Sequence, residues 1–202
     1  GKNSGTAELS GGEIYIFYNT EGNIKKVSQG AEMRLLKKIT DMEILNKEGI
    51  TEAEPRFAAR AVMVNDNNEI AVMYSPVFHL YSLPGGGIQD GENRREAVKR
   101  EVLEETGYLC EIVQELGYVY ENRAHCDFVQ YSYYYVVKTA GLQGQTNLEE
   151  DERKSGMHVQ WHSLEETIRL ITDPVHDTVQ KKFIQAKDRA ALEEFLRVRK
   201  TD

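Results

Sequence analysis

The sequence predicts an α+β domain in which helices cover the faces of a mixed β-sheet. Three observations carry this. Short, alternating apolar segments recur from Phe57 to Trp161. One helical pattern interrupts them and two more follow the last of them. Strands and helices never fall into the regular βαβ rhythm of a parallel sheet.

In chain order, residues 1–12 are Gly/Ser-rich and expected to be mobile. Residues 13–18 (EIYIFY) read as a strand, 19–23 (NTEGN) as a turn and 24–28 as a return strand. Met33 opens a new segment, MRLLKKITDMEIL, that would serve as a natural start. Residues 1–32 are therefore expected to be an added leader or a loosely attached extension, with 33–202 as the domain proper. Residues 58–64, the NDNN turn and residues 70–74 read as a β-hairpin. Residues 80–83 form a short strand ending at Pro84, followed by three glycines and a helix over 94–106.

Strands are expected at 109–113, 116–120 and 129–139, the last (VQYSYYYVVKT) rich in Tyr and Val as half-buried strands are. Residues 159–161 are another short strand. Ser163 and Glu166 have capping-box spacing and open a helix through Thr172. Beyond Asp173-Pro174 a final helix covers 177–198, with Phe183, Ile184, Leu192 and Phe195 on its apolar side.

The 202 residues include 25 Lys and Arg against 33 Asp and Glu, a formal charge of -8. A broad nucleic-acid or anionic-membrane surface needs a basic face, so both classes are disfavoured. No apolar run is long enough for a transmembrane helix, and the N-terminus lacks a basic-then-apolar signal layout. Cys110 and Cys126 lack metal-ligand spacing and read as buried reduced thiols, ahead of a single bridge. A cytoplasmic location is the expectation. A polyphosphate substrate would need a divalent metal to mask like-charge repulsion.

Residues 86–108 read GGIQDGENRREAVKREVLEETGY. Glu101, Glu104 and Glu105 fall at i, i+3 and i+4, which sets three carboxylates about 5–6 Å apart on one helical face. Such hard oxygen ligands select Mg²⁺ or Mn²⁺. Arg100 can pair with Glu92 and hold the turn against the helix. Gly85, Gly86 and Gly87 let the backbone approach closely, so that a main-chain carbonyl can join the ligands. The plainer reading is a solvated helix face with Arg100 bridged to Glu96 or Glu104. The spacing outweighs it.

The segment resembles the Nudix box, G-x5-E-x7-R-E-U-x-E-E-x-G-U with U apolar. Gly86, Glu92, Arg100, Glu101, Val102, Glu104, Glu105 and Gly107 all match, and Tyr108 departs at the final apolar position. The resemblance implies an α/β/α sandwich around a mixed sheet. It also implies hydrolysis of the pyrophosphate bond of a nucleoside diphosphate linked to another moiety, by water with Mg²⁺ or Mn²⁺. It assigns Glu101, Glu104 and Glu105 to the metal, with the Gly86 carbonyl as a further ligand. Arg100 orients the glutamates and Glu92 supports from behind them. Glu101 is the first choice of general base within the box. Family members also draw a base from a later loop, where Glu149, Glu150, Asp151 and Glu152 stand. The sequence leaves the oligomeric state open, with a homodimer as a candidate because dimers are common in the family.

Outside the box, Arg123 and His125 are candidate contacts for substrate phosphates, since they supply positive charge. His79 reads more readily as a surface-loop residue than as a pocket residue. Tyr131, Tyr133 and Tyr135 share one strand face, from which one Tyr, or Phe128, could stack on a base. Trp161 reads as core. Ala124 and His125 stand where subfamilies show a diagnostic proline or tyrosine, so the substrate stays between nucleoside triphosphates, oxidised ones included, and nucleotide sugars. The alternative from another class is a non-catalytic nucleotide sensor, which typically loses the box glutamates retained here.

Overall fold

The computed structural model describes residues 33–141 and 144–200 in full, and residues 5–9, 12–18 and 24–29 as backbone strands. The turn expected at 19–23, and parts of the Gly/Ser-rich start, lie outside the described residues. β1 (Gly5–Leu9), β2 (Gly12–Tyr18) and β3 (Ile24–Gln29) form an antiparallel sheet in that order. The expected strands at 13–18 and 24–28 are present, and β1 is additional.

From β4 (Leu35–Thr40) onward the chain builds one mixed sheet. Its other strands are β5 (Pro55–Val64), β6 (Ile70–Ser75), β7 (Leu80–Ser82), β8 (Gly85–Gly87), β9 (Cys110–Arg123), β10 (Phe128–Thr139) and β11 (His158–His162). The main path runs β11-β6-β5-β10-β9-β4, with β7 paired to β6 and β8 to β5. β5/β10 and β4/β9 are parallel and the other pairs antiparallel. The helices are α1 (Asp41–Leu45), α2 (Arg94–Thr106), α3 (Glu150–Lys154), α4 (Leu164–Thr172) and α5 (Val179–Arg199).

Alternation along β5 decides what each face covers. Ala59, Ala61 and Met63 point to α2, where they pack with Ala97, Val98 and Val102. Val62 and Val64 point the other way, to Phe183, Ala191, Leu192 and Phe195 of α5. A central strand buried on both faces explains the nearly unbroken apolar run of β5. Full burial of a side chain such as Phe183 or Leu192 stabilises by about 1.5–3 kcal/mol. The result is the expected sandwich, a mixed sheet between α2 on one side and α4 with α5 on the other.

Several local expectations change. The hairpin of β5 and β6 is joined only beside its turn, where Val64 pairs with Ile70. Beyond that β5 turns to β10 and β8, and β6 to β7 and β11, because periodicity specifies a strand but not its partner. The two strands expected at 109–113 and 116–120 are a single β9, whose register against β10 shifts at two places. Ser163 caps the Glu166 amide, but the Glu166 side chain pairs with Arg169 at 2.6 Å. Cys110 and Cys126 are both free, and Cys126 is exposed where a buried thiol was expected. No helix among the described residues is long and apolar enough to cross a membrane.

Candidate active site

α2 starts where its sequence says it should. Asn93 accepts hydrogen bonds from the Arg95 and Glu96 amides, and the Glu96 carboxylate accepts one from the Asn93 amide at 3.0 Å. Gly107 ends the helix with φ 76°, and its amide reaches the Leu103 carbonyl. Glu96 is thereby committed to the cap and is not the partner of Arg100.

Arg100 holds the loop to the helix. Its Nε and Nη2 donate to the two carboxylate oxygens of Glu92 at 2.8 and 3.0 Å, and Nη2 also donates to the Gly87 carbonyl at 2.8 Å. Nη1 reaches Glu101 at 2.8 Å and Glu104 at 2.9 Å. The planar fork of five donors makes this sharing possible, and a lysine could not reproduce it. The Glu92 bond, with those of Glu101 and Glu104, raises the Arg100 pKa against the effect of burial. The expected pairing of Arg100 with Glu92 is present, and the Glu104 bridge exists alongside it.

Glu101 and Glu105 project from α2 toward β8. A Cβ on Gly86 would stand 2.7 Å from a Glu101 carboxylate oxygen, so only glycine admits the carboxylate there. At Gly85, with φ +135°, a Cβ would meet the Ala59 carbonyl at 2.3 Å. The Gly85 amide donates to Glu105 at 2.8 Å. Burial raises the Glu101 pKa, opposed by Arg100 and reinforced by Glu104 and Glu152. Burial raises that of Glu105 further, with Glu152 and Glu101 adding to it against the Gly85 amide and Arg60.

The acidic run read as a candidate loop is largely helical. Glu149 caps α3, and its amide donates to Glu152 at 2.8 Å. The preceding loop follows the end of α2, where the Asn147 amide donates to the Glu104 carbonyl at 2.7 Å. This brings Glu152 within electrostatic reach of both Glu101 and Glu105. Of the four acidic residues in the run, Glu152 is the one whose charge bears on both Glu101 and Glu105.

Among the described residues no three acidic, histidine or cysteine side chains already converge as a metal-coordinating cluster. Arg100 occupies the space between Glu101 and Glu104. The donor set nonetheless fits a divalent cation. It is all oxygen, it lies against a bare glycine backbone, and its buried carboxylates repel one another.

Other candidates lie elsewhere. Arg123 pairs with Glu121 at 2.5 Å and packs over the rings of Phe128 and Phe183, on the α5 face of the sheet. His125 holds Asp41 through its amide and Nδ1, both at 2.7 Å. The structure does not bring these two together with the box glutamates. His79 is exposed in a turn, with φ 48°. Tyr131 and Tyr133 join Phe57, Tyr118 and Tyr120 in a half-buried aromatic group on the α2 face. Tyr135 is fully buried. Tyr108 meets half-buried Trp161 edge-on at 5.4 Å, which shows how an aromatic residue serves the last apolar position of the box.

The NUDIX domain family model matches residues 54–186. The chain belongs to the Nudix hydrolase family. A putative 8-oxo-dGTP diphosphatase of Bacillus subtilis (strain 168) is 36% identical over 64 residues, 32% of this chain. That match spans 42% of the relative's length. Solved Nudix structures share the fold. A hydrolase from Nitrosomonas europaea superposes with a TM-score of 0.53 at 18% identity, covering 71% of this chain and 89% of that one. A MutT protein from Methanosarcina mazei Go1 gives 0.52 at 20% identity, covering 74% and 98%. In Nudix terms the end of β8, the loop over 88–93 and α2 carry the box, and the family generally uses divalent metal ions.

Proposed function

We propose that this Nudix protein hydrolyses a pyrophosphate bond in a nucleoside diphosphate linked to another moiety, with Mg²⁺ or Mn²⁺. The observation that carries this reading is the seating of Glu101 and Glu105 on the Gly85–Gly87 backbone, with Glu152 close enough to add to their repulsion. Glu101, Glu104, Glu105 and the Gly86 carbonyl would hold the ion. When bound, the metal polarises the phosphoryl oxygens and acidifies an attacking water.

The chain's own groups do the rest. Arg100 fixes Glu101 and Glu104 relative to the loop, which keeps the ligands in one orientation. Glu101 accepts the proton from water. Glu152 is the second candidate for that proton. Arg123 and His125 are left out of the substrate contacts, since both pack against Phe183 of α5, on the face of the sheet opposite the box helix. The aromatic group around Tyr131 gives a surface on which a base could stack.

Substrate choice stays at the level of nucleoside triphosphates, oxidised ones included, and nucleotide sugars. The likeness to a putative 8-oxo-dGTP diphosphatase is the reason to test oxidised triphosphates first. The reading is tested by screening such nucleotides with Mg²⁺ and Mn²⁺ for release of phosphate or pyrophosphate. Nucleotide binding without turnover in either metal would sink it and favour a sensor. Residues 1–32 are proposed to be dispensable, so a chain starting at Met33 should keep both fold and turnover.

A further inference from the structure

A group of charged residues lies buried on the side of the sheet away from α2. Asp188 of α5 is fully buried, with one oxygen accepting the Leu83 amide at 2.9 Å and the other the Tyr134 hydroxyl at 2.6 Å. Arg60 of β5 donates to the Leu83 carbonyl at 3.2 Å. Leu83 is where the chain leaves β7, paired to β6, and crosses to β8, paired to β5. Its amide and its carbonyl are thus both held by side chains rather than by a neighbouring strand. The Pro84 carbonyl then accepts from the Ala61 amide at 2.9 Å. The next amide, that of Gly85, holds Glu105.

We propose that Asp188 and Arg60 are positioning residues that act through Leu83 to set the Gly85–Gly87 backbone against Glu101 and Glu105. The inference rests on the hydrolase reading and goes beyond it. Asp188 lies past the residues 54–186 that the family model matches. Side-chain bonds at one crossing residue are a suitable device here. Two residues on, a displacement of a few tenths of an ångström would change where the Gly85 amide and Gly86 carbonyl stand. Misplacement of a reacting group by 1 Å can cost about a hundredfold in rate. The ladder to β5 holds one edge of this strand, and since its glycines supply no side chains, the bonds at Leu83 are the side-chain anchor at the point where the strand begins.

The test compares Asp188→Ala, Asp188→Asn and Arg60→Lys in the full chain by steady-state kinetics and by hydrogen exchange. Asp188→Ala should lower kcat about 10–100-fold while changing KM less than about threefold. Exchange should quicken over residues 80–88 while residues 94–106 keep their protection. Asp188→Asn retains an oxygen for the Leu83 amide and should recover most of both losses. Arg60→Lys keeps the charge but not the reach, and should loosen 80–88 in a chain that retains Asp188. That second arm decides the matter if Asp188→Ala does not fold. Unchanged exchange over 80–88, or unchanged kcat with exchange quickened, overturns the proposal. An unmodified chain that turns over no nucleotide would defeat the hydrolase reading, while the exchange data would still report on the Leu83 anchor.

Discussion

The Glu101 carboxylate lies against the backbone of Gly86, with 2.7 Å between its nearer oxygen and the place a β-carbon would occupy. The obstacle is the mobile end of a side chain, so an added methyl would displace Glu101 rather than break the fold. Gly86→Ala should therefore leave the unfolding free energy within about 1 kcal/mol of the parent. It should cut kcat by at least about tenfold. Gly85→Ala should instead cost more than about 2 kcal/mol of stability, since its β-carbon would meet backbone at a positive φ. Chemical denaturation beside steady-state kinetics checks both.

Glu105→Gln keeps an oxygen for the Gly85 amide and deletes the charge. Turnover should fall by about a hundredfold or more, the several kcal/mol expected of a lost metal-ligand charge. The fold should persist, as seen by circular dichroism. Near-parental activity would contradict the assignment of Glu105 to the metal.

Arg100→Lys retains one positive charge but not the fork that joins Glu92, Gly87, Glu101 and Glu104. Activity, or apparent metal affinity, should drop about 10–100-fold. Titration of activity with Mn²⁺ measures it, and a lysine variant as active as the parent would show that Arg100 only stabilises.

Glu152 distinguishes the two candidate bases. With Glu101 taking the proton, Glu152→Gln should lose less than about tenfold and keep the acid limb of the pH–rate profile. Glu101→Gln should lose that limb along with most of the activity. A Glu152→Gln variant lacking the limb would transfer the role to Glu152.

Lys187 gives a stability prediction away from the site. It is buried beside Glu121 at 3.4 Å, and burial, with Arg60, lowers its pKa from 10.5 to about 8 against the pull of Glu121. Between about pH 8 and 10.5 the unfolded chain binds the Lys187 proton more strongly than the folded one. The Lys187 contribution to stability must therefore rise with pH through that window. Denaturant midpoints of the parent relative to Lys187→Met should diverge upward over the same range, and parallel profiles would contradict the shift.

Sequence alone determined the box, because its charges and glycines sit at fixed spacings along one helix and one turn. It gave α2 residue for residue and made the Arg100–Glu92 pair foreseeable, since both ends are local. The same spacing put Glu101, Glu104 and Glu105 on one face. The buried pair Lys187 and Asp188 escaped it, because two adjacent charges on a helix look solvated until strands from elsewhere cover them. The selection of Glu152 from its acidic run, the splaying of β5 from β6 and the engagement of Arg123 and His125 also waited on tertiary structure. Each depends on which segments meet across the sheet, and the period of a sequence does not encode its partners.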